Sequence, residues 1–282
     1  MTNRLSAFIT IAILILLVAF SDLWPSQTVR VWIFDVGQGD AIFIDGPNTQ
    51  VLIDGGPDAL VLERLSGVMP WWDRSIDVVV NTHPHADHTL GLLPVLERYK
   101  VGAILDADEG YATPEFDEYL RLAAAEGKGR QIISAGDVID LGGGATLTTL
   151  WPLEPYNRAL LDDPNDGSII MLFEYGESNM LLMGDAGVEE EAAILGALPD
   201  KIEVLKVGHH GSDTSTSRGL LEVINPEVAV ISCGLDNDYG HPSPFVVDRL
   251  ESSGAEVYRT DLEGNLRLKF GRNNYQISPV NF

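Results

Sequence analysis

The chain has 282 residues, 45% of them hydrophobic, which suits one large α/β domain or two small ones and excludes a disordered chain. Its 18 Lys and Arg residues are scattered among 42 Asp and Glu residues, and the resulting net charge of −24 argues against a surface that grips nucleic acid through a basic patch. The single cysteine, Cys233, excludes an internal disulfide and a zinc cluster built from cysteines.

The N-terminus carries an uncharged, mostly apolar segment, residues 5–21, preceded by Arg4 and followed by Asp22. Its length falls within the range that crosses a bilayer as a helix, which is about 17–25 residues. We therefore predict an N-terminal hydrophobic helix in residues 1–25 that anchors the chain in the cell membrane by a single pass. Arg4 on the N-terminal side places the rest of the chain outside the cytoplasm. A cleaved signal peptide, which would leave a secreted protein, is the alternative.

Beyond this segment, residues 26–282 are predicted to form one domain of alternating strands and helices, because apolar runs and turn residues follow one another without a linker. In chain order the predicted elements are strands 29–34, 41–45 and 50–54, helix 59–66, strand 77–81, helix 90–99, strand 103–105, helix 114–126, strands 132–133, 146–150, 169–175 and 180–183, helix 188–195, strand 204–207, helix 218–224, strand 228–232, helix 244–252, and strands 257–259, 266–270 and 275–277. This order predicts two sheets packed together with helices on the outer faces.

Four metal-binding side chains lie within six residues directly after the buried strand 77–81: His83, His85, Asp87 and His88. Imidazole and carboxylate groups without cysteine suit zinc, manganese or iron. Alternate residues of an extended segment point the same way, so we expect His83 and His85 to hold one ion. Asp87 and His88, at the turn into the next helix, would face a second ion.

The order His-x-His-x-Asp-His resembles the signature of the metallo-β-lactamase superfamily. The resemblance implies an αββα sandwich, in agreement with the predicted elements, and a site for two divalent ions, Zn or Mn. It also implies that Asp54 supports the metal loop through hydrogen bonds and that Asp185 bridges the two ions. His209 or His210 would supply the last ligand. His209, the residue nearer the preceding strand, is slightly favoured, with His210 beside the substrate.

Four further segments resemble the metallo-β-lactamase-like domain of ComEC-type DNA-uptake proteins. They are FDVGQGDA at 34–41, NDGS at 165–168, HHGS at 209–212 and GHPS at 240–243. Asp35 and Asp40, in the first of these segments, are expected beside the metal site as supporting groups.

One ligand of the wider superfamily is missing from this chain. Members often supply a histidine between the histidine-rich loop and the bridging aspartate, but no histidine lies between His88 and His209. Asn165 or Ser168 stands where that group is expected, so the first ion would have a weaker set of ligands or an extra water.

The chemistry that this resemblance implies is two-metal hydrolysis, in which the ions activate a water and stabilise the leaving oxygen. Asp87 and Asp185 are the predicted catalytic carboxylates, and His241 is predicted to protonate the leaving group or to contact a phosphate. Ser243 is predicted to donate a hydrogen bond to the same phosphate and Ser212 to bind it through its backbone amide, while Asn165 and Ser168 are predicted to contact the substrate.

We therefore expect a metal-dependent phosphodiesterase, and by resemblance a nuclease that acts on DNA outside the cytoplasmic membrane. Its partners would be DNA or another phosphodiester, the membrane through the N-terminal segment, and a DNA-uptake channel protein. The oligomeric state stays open. A hydrolase of another extracellular phosphoester or ester and an inactive metal-binding scaffold are the alternatives.

Overall fold

A computed structural model of the protein describes residues 28–107, 111–126, 129–155 and 163–282. In chain order its strands are β1 (Val29–Ile33), β2 (Ile42–Asp45), β3 (Gln50–Ile53), β4 (Ser75–Asn81), β5 (Lys100–Asp106), β6 (Arg130–Ile132), β7 (Val138–Gly142), β8 (Ala145–Trp151), β9 (Ile170–Tyr175), β10 (Ser178–Leu182), β11 (Val204–Lys206), β12 (Val228–Ile231), β13 (Glu256–Arg259), β14 (Asn265–Phe270) and β15 (Tyr275–Val280). Its α-helices are α1 (Leu60–Val68), α2 (Ala86–Thr89), α3 (Leu92–Arg98), α4 (Pro114–Ala123), α5 (Val188–Ile194), α6 (Arg218–Ile224), α7 (Pro244–Ser252) and α8 (Thr260–Glu263).

Local sequence signals account for where these helices begin. Helix α4 starts at Pro114, whose fixed φ suits the first helical position, and the Thr113 side chain accepts a hydrogen bond from the Phe116 amide. Helix α7 starts in the same way, with a proline in its first turn and Ser243 as the capping residue. The strongly apolar β4 ends in three buried residues, as expected for a strand covered on both faces.

The strands form two mixed sheets. The first has eight strands in the order β15-β14-β1-β2-β3-β4-β5-β6, with β3 to β6 parallel. The second has seven strands in the order β13-β12-β11-β10-β9-β8-β7, with β10 to β13 parallel. The predicted pair of mixed sheets is confirmed.

Three apolar clusters hold the layers together. The largest lies between the two sheets and includes Val31, Ile44, Phe173 and Met180. A second packs helices α1, α3 and α4 on the outer face of the first sheet, and a third packs α5, α6 and α7 on the outer face of the second. The order of layers is therefore helix, sheet, sheet, helix, as predicted.

The parallel strands of both sheets place their carboxyl ends at one edge of the sandwich. The loops that follow β4, β10, β11 and β12 all leave from this edge. The two sheets are joined there by a backbone hydrogen bond of 3.1 Å from the Ile169 amide to the Thr82 carbonyl. Side chains carried by these loops can therefore converge, as in other α/β sheets whose sites lie at strand ends.

The location predicted from the N-terminus requires correction. The longest helix in the described ranges, α4, has ten residues and extends about 15 Å, whereas a bilayer core is about 30 Å thick. No helix of these ranges is both long and apolar enough to cross a membrane, which contradicts the predicted single-pass location. The segment 1–25, with its predicted helix, lies outside the described residues.

Three short elements were absent from the prediction. The predicted helix 90–99 corresponds to α3, whereas the short helices α2 and α8 were not predicted. Gly91, between α2 and α3, packs closely against Gly55, where a Cβ at position 91 would lie 1.8 Å from the Gly55 carbonyl oxygen. Strand β7 was not predicted, since Val138 is exposed and the segment lacks a regular apolar alternation.

Candidate metal centre

The loop after β4 carries the histidines at the floor of a cleft. His83 and His88 are fully buried, while His85 and Asp87 are partly exposed. The Nε2 atom of His83 lies 3.1 Å from the Nδ1 atom of His85. The loop thus turns imidazole nitrogens and one carboxylate toward a common volume.

Asp54, at the end of β3, fixes the shape of this loop. Its carboxylate accepts hydrogen bonds from the Thr82 amide at 2.8 Å and from the Thr82 hydroxyl at 2.6 Å. Its Oδ2 atom also lies 2.8 Å from Nδ1 of His88. This contact directs Nε2 of His88 into the cluster, which is the usual arrangement around a metal-binding histidine.

Asp185, three residues after β10, brings the second sheet to the cluster. Its Oδ1 atom lies 3.4 Å from Nε2 of His88, and its Oδ2 atom lies 3.5 Å from Nε2 of His210 and 3.7 Å from Nε2 of His83. Its amide donates to the Ser168 hydroxyl at 2.8 Å, which fixes the backbone. One carboxylate therefore faces three imidazoles, the position expected of a bridging ligand.

The structure distinguishes between the two adjacent histidines after β11. His210 is buried, and its Nε2 atom lies 3.2 Å from Nε2 of His88 and 3.3 Å from Oδ2 of Asp87. His209 is a quarter exposed, its Nε2 atom is 3.9 Å from Asp185, and its Nδ1 atom contacts the Thr214 hydroxyl. The geometry therefore favours His210 as the ligand, contrary to the slight preference for His209 drawn from the sequence.

The backbone conformation explains why His210, and not His209, faces the other ligand atoms. His209 and His210 have φ values of 47° and 52°, in the left-handed region that residues with a Cβ seldom adopt. The Nδ1 atom of His210 lies 3.0 Å from the Ser232 carbonyl, so its Nε2 atom points toward the cluster. Counting residues from the strand does not anticipate a left-handed pair.

The electrostatic environment favours positive charge. Burial opposes protonation of His210, but the carboxylates of Asp185, Asp87 and Asp40 outweigh it and raise the pKa of His210 to about 10. Burial likewise opposes ionisation of Asp87, yet His88 and His210 lower its pKa to about 2. The same two imidazoles hold the pKa of Asp185 well below its usual range despite burial.

These residues fit a pair of divalent ions. Ligand atoms of His83, His88 and Asp185 lie within 4.8 Å of one another, and so do those of Asp87, His88 and His210. The buried Oδ1 atom of Asp185 accepts no hydrogen bond from the described residues, as suits an oxygen reserved for a cation. Imidazole and carboxylate donors suit Zn or Mn. His85 lies next to the first of these sets, because its Nδ1 atom contacts the Nε2 atom of His83.

A buried ion pair lies next to the histidine–aspartate cluster, and only one of its two residues was predicted as a supporting group. Asp40, expected as a supporting group, lies 2.8 Å from the fully buried Nζ atom of Lys206. Its other oxygen lies 3.7 Å from Nδ1 of His210 and accepts no hydrogen bond from the described residues. The pairing of Lys206 with Asp40 was not predicted, although a lysine inside an otherwise apolar strand was the available signal.

Above the cluster opens a cleft of about 390 Å³. Of the predicted site residues, those that line it are His85, Asp87, Asn165, Asp185, His209, His210 and His241. The Oδ1 atom of Asn165 is buried without a hydrogen-bond partner among the described residues, so this side chain is available where the superfamily often has a histidine. The Nδ1 atom of His241 is likewise buried and unpaired within the described chain.

The remaining predicted residues lie around the site and do not line the cleft. Ser168 binds the Asp185 amide, and its hydroxyl lies 3.4 Å from Nδ1 of His83. The Ser212 hydroxyl accepts from Thr214, and Ser243 caps helix α7. Asp35 accepts from the Gly37 amide and is absent from the cluster. The three serines thus hold backbone in place, where contact with substrate was predicted.

Comparison with known sequences agrees with this geometry. A sequence model of the metallo-beta-lactamase superfamily matches residues 34–235, which include every candidate ligand. The chain belongs to this superfamily. Family membership and the histidine–aspartate cluster together support a metal-dependent hydrolase with a site for two divalent ions.

Curated relatives of this superfamily member are competence proteins. The chain is 28% identical over 272 residues to ComE operon protein 3 of Bacillus subtilis, which covers 87% of the chain and 33% of that protein. It is 30% identical over 254 residues to competence protein ComA of Neisseria gonorrhoeae, covering 88% of the chain and 33% of that protein. The chain thus spans about a third of the length of these relatives. The predicted resemblance to ComEC-type domains is confirmed.

Solved structures of the superfamily share the fold. The metallo-beta-lactamase fold protein YhfI of Bacillus subtilis matches with a TM-score of 0.55 and 13% identity, over 86% of this chain and 99% of that one. CmlA, a diiron beta-hydroxylase from Streptomyces venezuelae, matches with a TM-score of 0.55 and 17% identity, over 88% of this chain and 54% of that one. At these identities the likeness shows the αββα fold alone.

Proposed function

We propose that the protein is a phosphodiesterase that hydrolyses DNA. The observation that carries the proposal is the position of Asp185, which faces both candidate ligand sets at the floor of an open cleft. A shared carboxylate of this kind suits the paired ions that catalyse phosphodiester hydrolysis. The competence relatives and a further relative, recombination protein 2 of Haemophilus influenzae, 30% identical over 276 residues covering 94% of this chain and 32% of that protein, support DNA as the substrate.

Each side chain has a distinct task in this proposal. His83, His85 and Asp185 would hold one ion, with Asn165 at the position of the missing histidine. Asp87, His88 and His210 would hold the other. When bound, two divalent ions supply an activated water and stabilise charge on the phosphate oxygens. These assignments follow the distances between the ligand atoms.

His241 is the candidate hydrogen-bond donor to the leaving oxygen. It lines the cleft, and its ring centroid lies 5.7 Å from that of His209 and 6.5 Å from that of His210. Burial and the neighbouring histidines lower the pKa of His241, so at neutral pH its ring is neutral and would donate an N–H hydrogen bond to the leaving oxygen.

The test is hydrolysis by the full chain supplied with Mn²⁺ or Zn²⁺, using bis-p-nitrophenyl phosphate, single-stranded DNA and duplex DNA. We expect the small diester and at least one of the two forms of DNA to be cleaved. Asp185→Ala should reduce turnover to background, because both ligand sets lose their shared carboxylate, and should lower metal content measured by elemental analysis. Asp200→Ala removes an exposed carboxylate just before β11, at the opposite edge, and is the matched control.

Each contrary outcome points to one alternative. Cleavage of the small diester without cleavage of DNA would leave a hydrolase of another phosphoester or ester. Bound metal without turnover of any substrate would identify an inactive metal-binding scaffold.

As a partner we propose a DNA-uptake channel protein. The support is the similarity to competence proteins, of whose length this chain spans about a third. Co-purification with the part of such a relative that this chain does not match would test the pairing, and failure to co-purify at micromolar concentrations would argue against it.

A further inference from the structure

The cleft has an exposed aromatic side chain that the catalytic assignments do not use. Tyr239 lines the cleft together with Asp185 and His210, and 70% of its surface is exposed. Its ring is stacked on His241, with centroids 5.8 Å apart and planes inclined by 25°. An apolar ring of this size, held flat beside a catalytic cleft, has a free face available to a ligand.

The loop that carries Tyr239 is held in one shape by a single side chain. Asn237 Oδ1 accepts hydrogen bonds from the amides of Tyr239 at 3.2 Å and His241 at 3.0 Å. Its Nδ2 group donates to the carbonyls of Gly234 at 2.9 Å and His241 at 2.5 Å. The exposure of Tyr239 is therefore imposed by an ordered loop, and a ligand would meet a platform already in place.

A second aromatic ring lies on the other half of the site. Tyr111 lines the same cleft, and its ring centroid lies 6.0 Å from that of His85, from the first sheet's metal loop. Tyr239 stands beside His241, in the loop that follows β12 of the second sheet. Each half of the cleft thus contributes one tyrosine.

Lysine and arginine are missing from the described part of the same surface. Among the described residues that line the cleft there is no Lys or Arg. The lysine nearest the cluster, Lys206, is fully buried and paired with Asp40, and the whole chain has a net charge of −24. Duplex DNA is bound chiefly through phosphate contacts to basic side chains, so this cleft lacks the usual means of holding a duplex.

We propose that Tyr239, stacked on His241, binds an unpaired nucleobase beside the scissile phosphate, so that the substrate is single-stranded DNA. The inference rests on the proposed phosphodiesterase function and specifies its substrate. Stacking on aromatic side chains tolerates any base and depends on a base face that a duplex keeps covered. The ions would contact the phosphate, while the tyrosine would supply affinity that lysine and arginine supply elsewhere.

The test compares two diesters that release the same p-nitrophenolate: thymidine 5′-(p-nitrophenyl phosphate) and methyl p-nitrophenyl phosphate. With Mn²⁺ bound, the full chain should favour the thymidine ester in kcat/KM by about tenfold, which is the size expected for one stacked base. Tyr239→Ala should bring this ratio close to one through a higher KM, and Tyr239→Phe should retain it. Because Tyr239 is exposed, neither change should move the thermal midpoint.

Trp72→Ala is the matched control, since this ring is 68% exposed but does not line the cleft. It should leave the ratio unchanged. A second measurement compares single-stranded DNA with its duplex, and Tyr239→Ala should raise KM for the single strand by about tenfold.

The outcomes separate the two proposals. Hydrolysis of neither diester would overturn the phosphodiesterase function itself. Equal hydrolysis of both esters by the wild-type protein, or an unchanged ratio in Tyr239→Ala, would leave that function intact and overturn the role of Tyr239.

Discussion

The floor of the cleft and its rim are built in different ways. The floor is the buried cluster of His83, His88, Asp185 and His210. These side chains are nearly inaccessible to solvent and come from both sheets. The rim, represented by Tyr239, is exposed on a loop organised by hydrogen bonds within that loop. Any change in the floor disturbs several close neighbours, whereas the rim can change with little effect on the rest. The geometry for chemistry is therefore separated from the geometry for substrate choice, as is common where rigid strands carry variable loops.

The largest expected effect comes from substituting the two adjacent histidines, His209 and His210, one at a time. His210→Ala should remove one bound ion per chain and abolish turnover, because its Nε2 atom lies among ligand atoms of the buried cluster. The loss of metal affinity should exceed the roughly 10–100-fold that follows removal of a group supporting a ligand. His209→Ala is the paired variant and should keep both ions. Calorimetric titration measures the metal affinity of both variants. Equal losses of affinity in His210→Ala and His209→Ala would contradict the assignment of His210 alone as a ligand.

The next effect concerns stability. Lys206→Met leaves the Asp40 carboxylate buried without its partner and should lower the free energy of unfolding by about 3–5 kcal/mol. Urea denaturation of the metal-free protein measures this change.

Lys201→Met is the control, because Lys201 pairs with Glu227 at an exposed position and should cost at most about 1 kcal/mol. The double variant Asp40→Asn with Lys206→Met should recover part of the loss. A loss below about 1 kcal/mol for Lys206→Met would show that the floor does not depend on this pair.

A moderate effect is expected at Asp54, whose carboxylate fixes the metal-binding loop after β4 through hydrogen bonds. Asp54→Asn keeps the left-handed backbone, at φ 57°, that asparagine tolerates, but removes the charge that faces His88. Metal affinity should fall about 10–100-fold, because the imidazole loses the partner that orients it.

Asp77→Asn provides the comparison for this variant, since the Asp77 carboxylate binds the Gln50 amide at the start of β3 and β4, away from the ligands. It should leave affinity unchanged. Similar losses in both variants would mean that the effect of Asp54 is one of folding alone.

The smallest expected effect lies in the rim. Asn237→Ala removes the hydrogen bonds that shape the Tyr239 loop and should lower the preference for the thymidine ester roughly twofold to tenfold, the equivalent of one net hydrogen bond of about 0.5–1.5 kcal/mol. Asn179→Ala is its control, because Asn179 makes similar contacts to Lys201 and Glu203 beside β10. Loss of bound metal in Asn237→Ala would show that rim and floor are coupled.

The sequence was sufficient for three of the four residues of the floor, because chemistry restricts the residue types that can serve there. Metal binding requires imidazole and carboxylate, so His83 and His88 were recognisable from residue type and spacing. Asp185 was recognisable from its resemblance to the bridging carboxylate of the superfamily. The apolar runs likewise predicted two sheets and their covering helices, and the elements they missed are the short helices α2 and α8 and the strand β7.

Three features depended on geometry that the sequence does not reveal. The choice of His210 follows from a left-handed backbone, which residue spacing does not show. Serine can donate a hydrogen bond to a phosphate, but the proline that follows Ser243 makes this residue a helix cap. Tyr239 belongs to no motif, and only the fold places its ring in the cleft.

The contact between His88 and His210 has a consequence for the whole molecule. These residues are 122 positions apart, and their Nε2 atoms lie 3.2 Å from each other. An ion held by both would act as a cross-link that closes a long loop, and such closures restrict the unfolded chain. Ions that bind only the folded state add stability by mass action, about 2.7 kcal/mol when free metal exceeds its dissociation constant a hundredfold. The lifetime of the protein against proteolysis would then follow the local supply of metal as closely as its activity does.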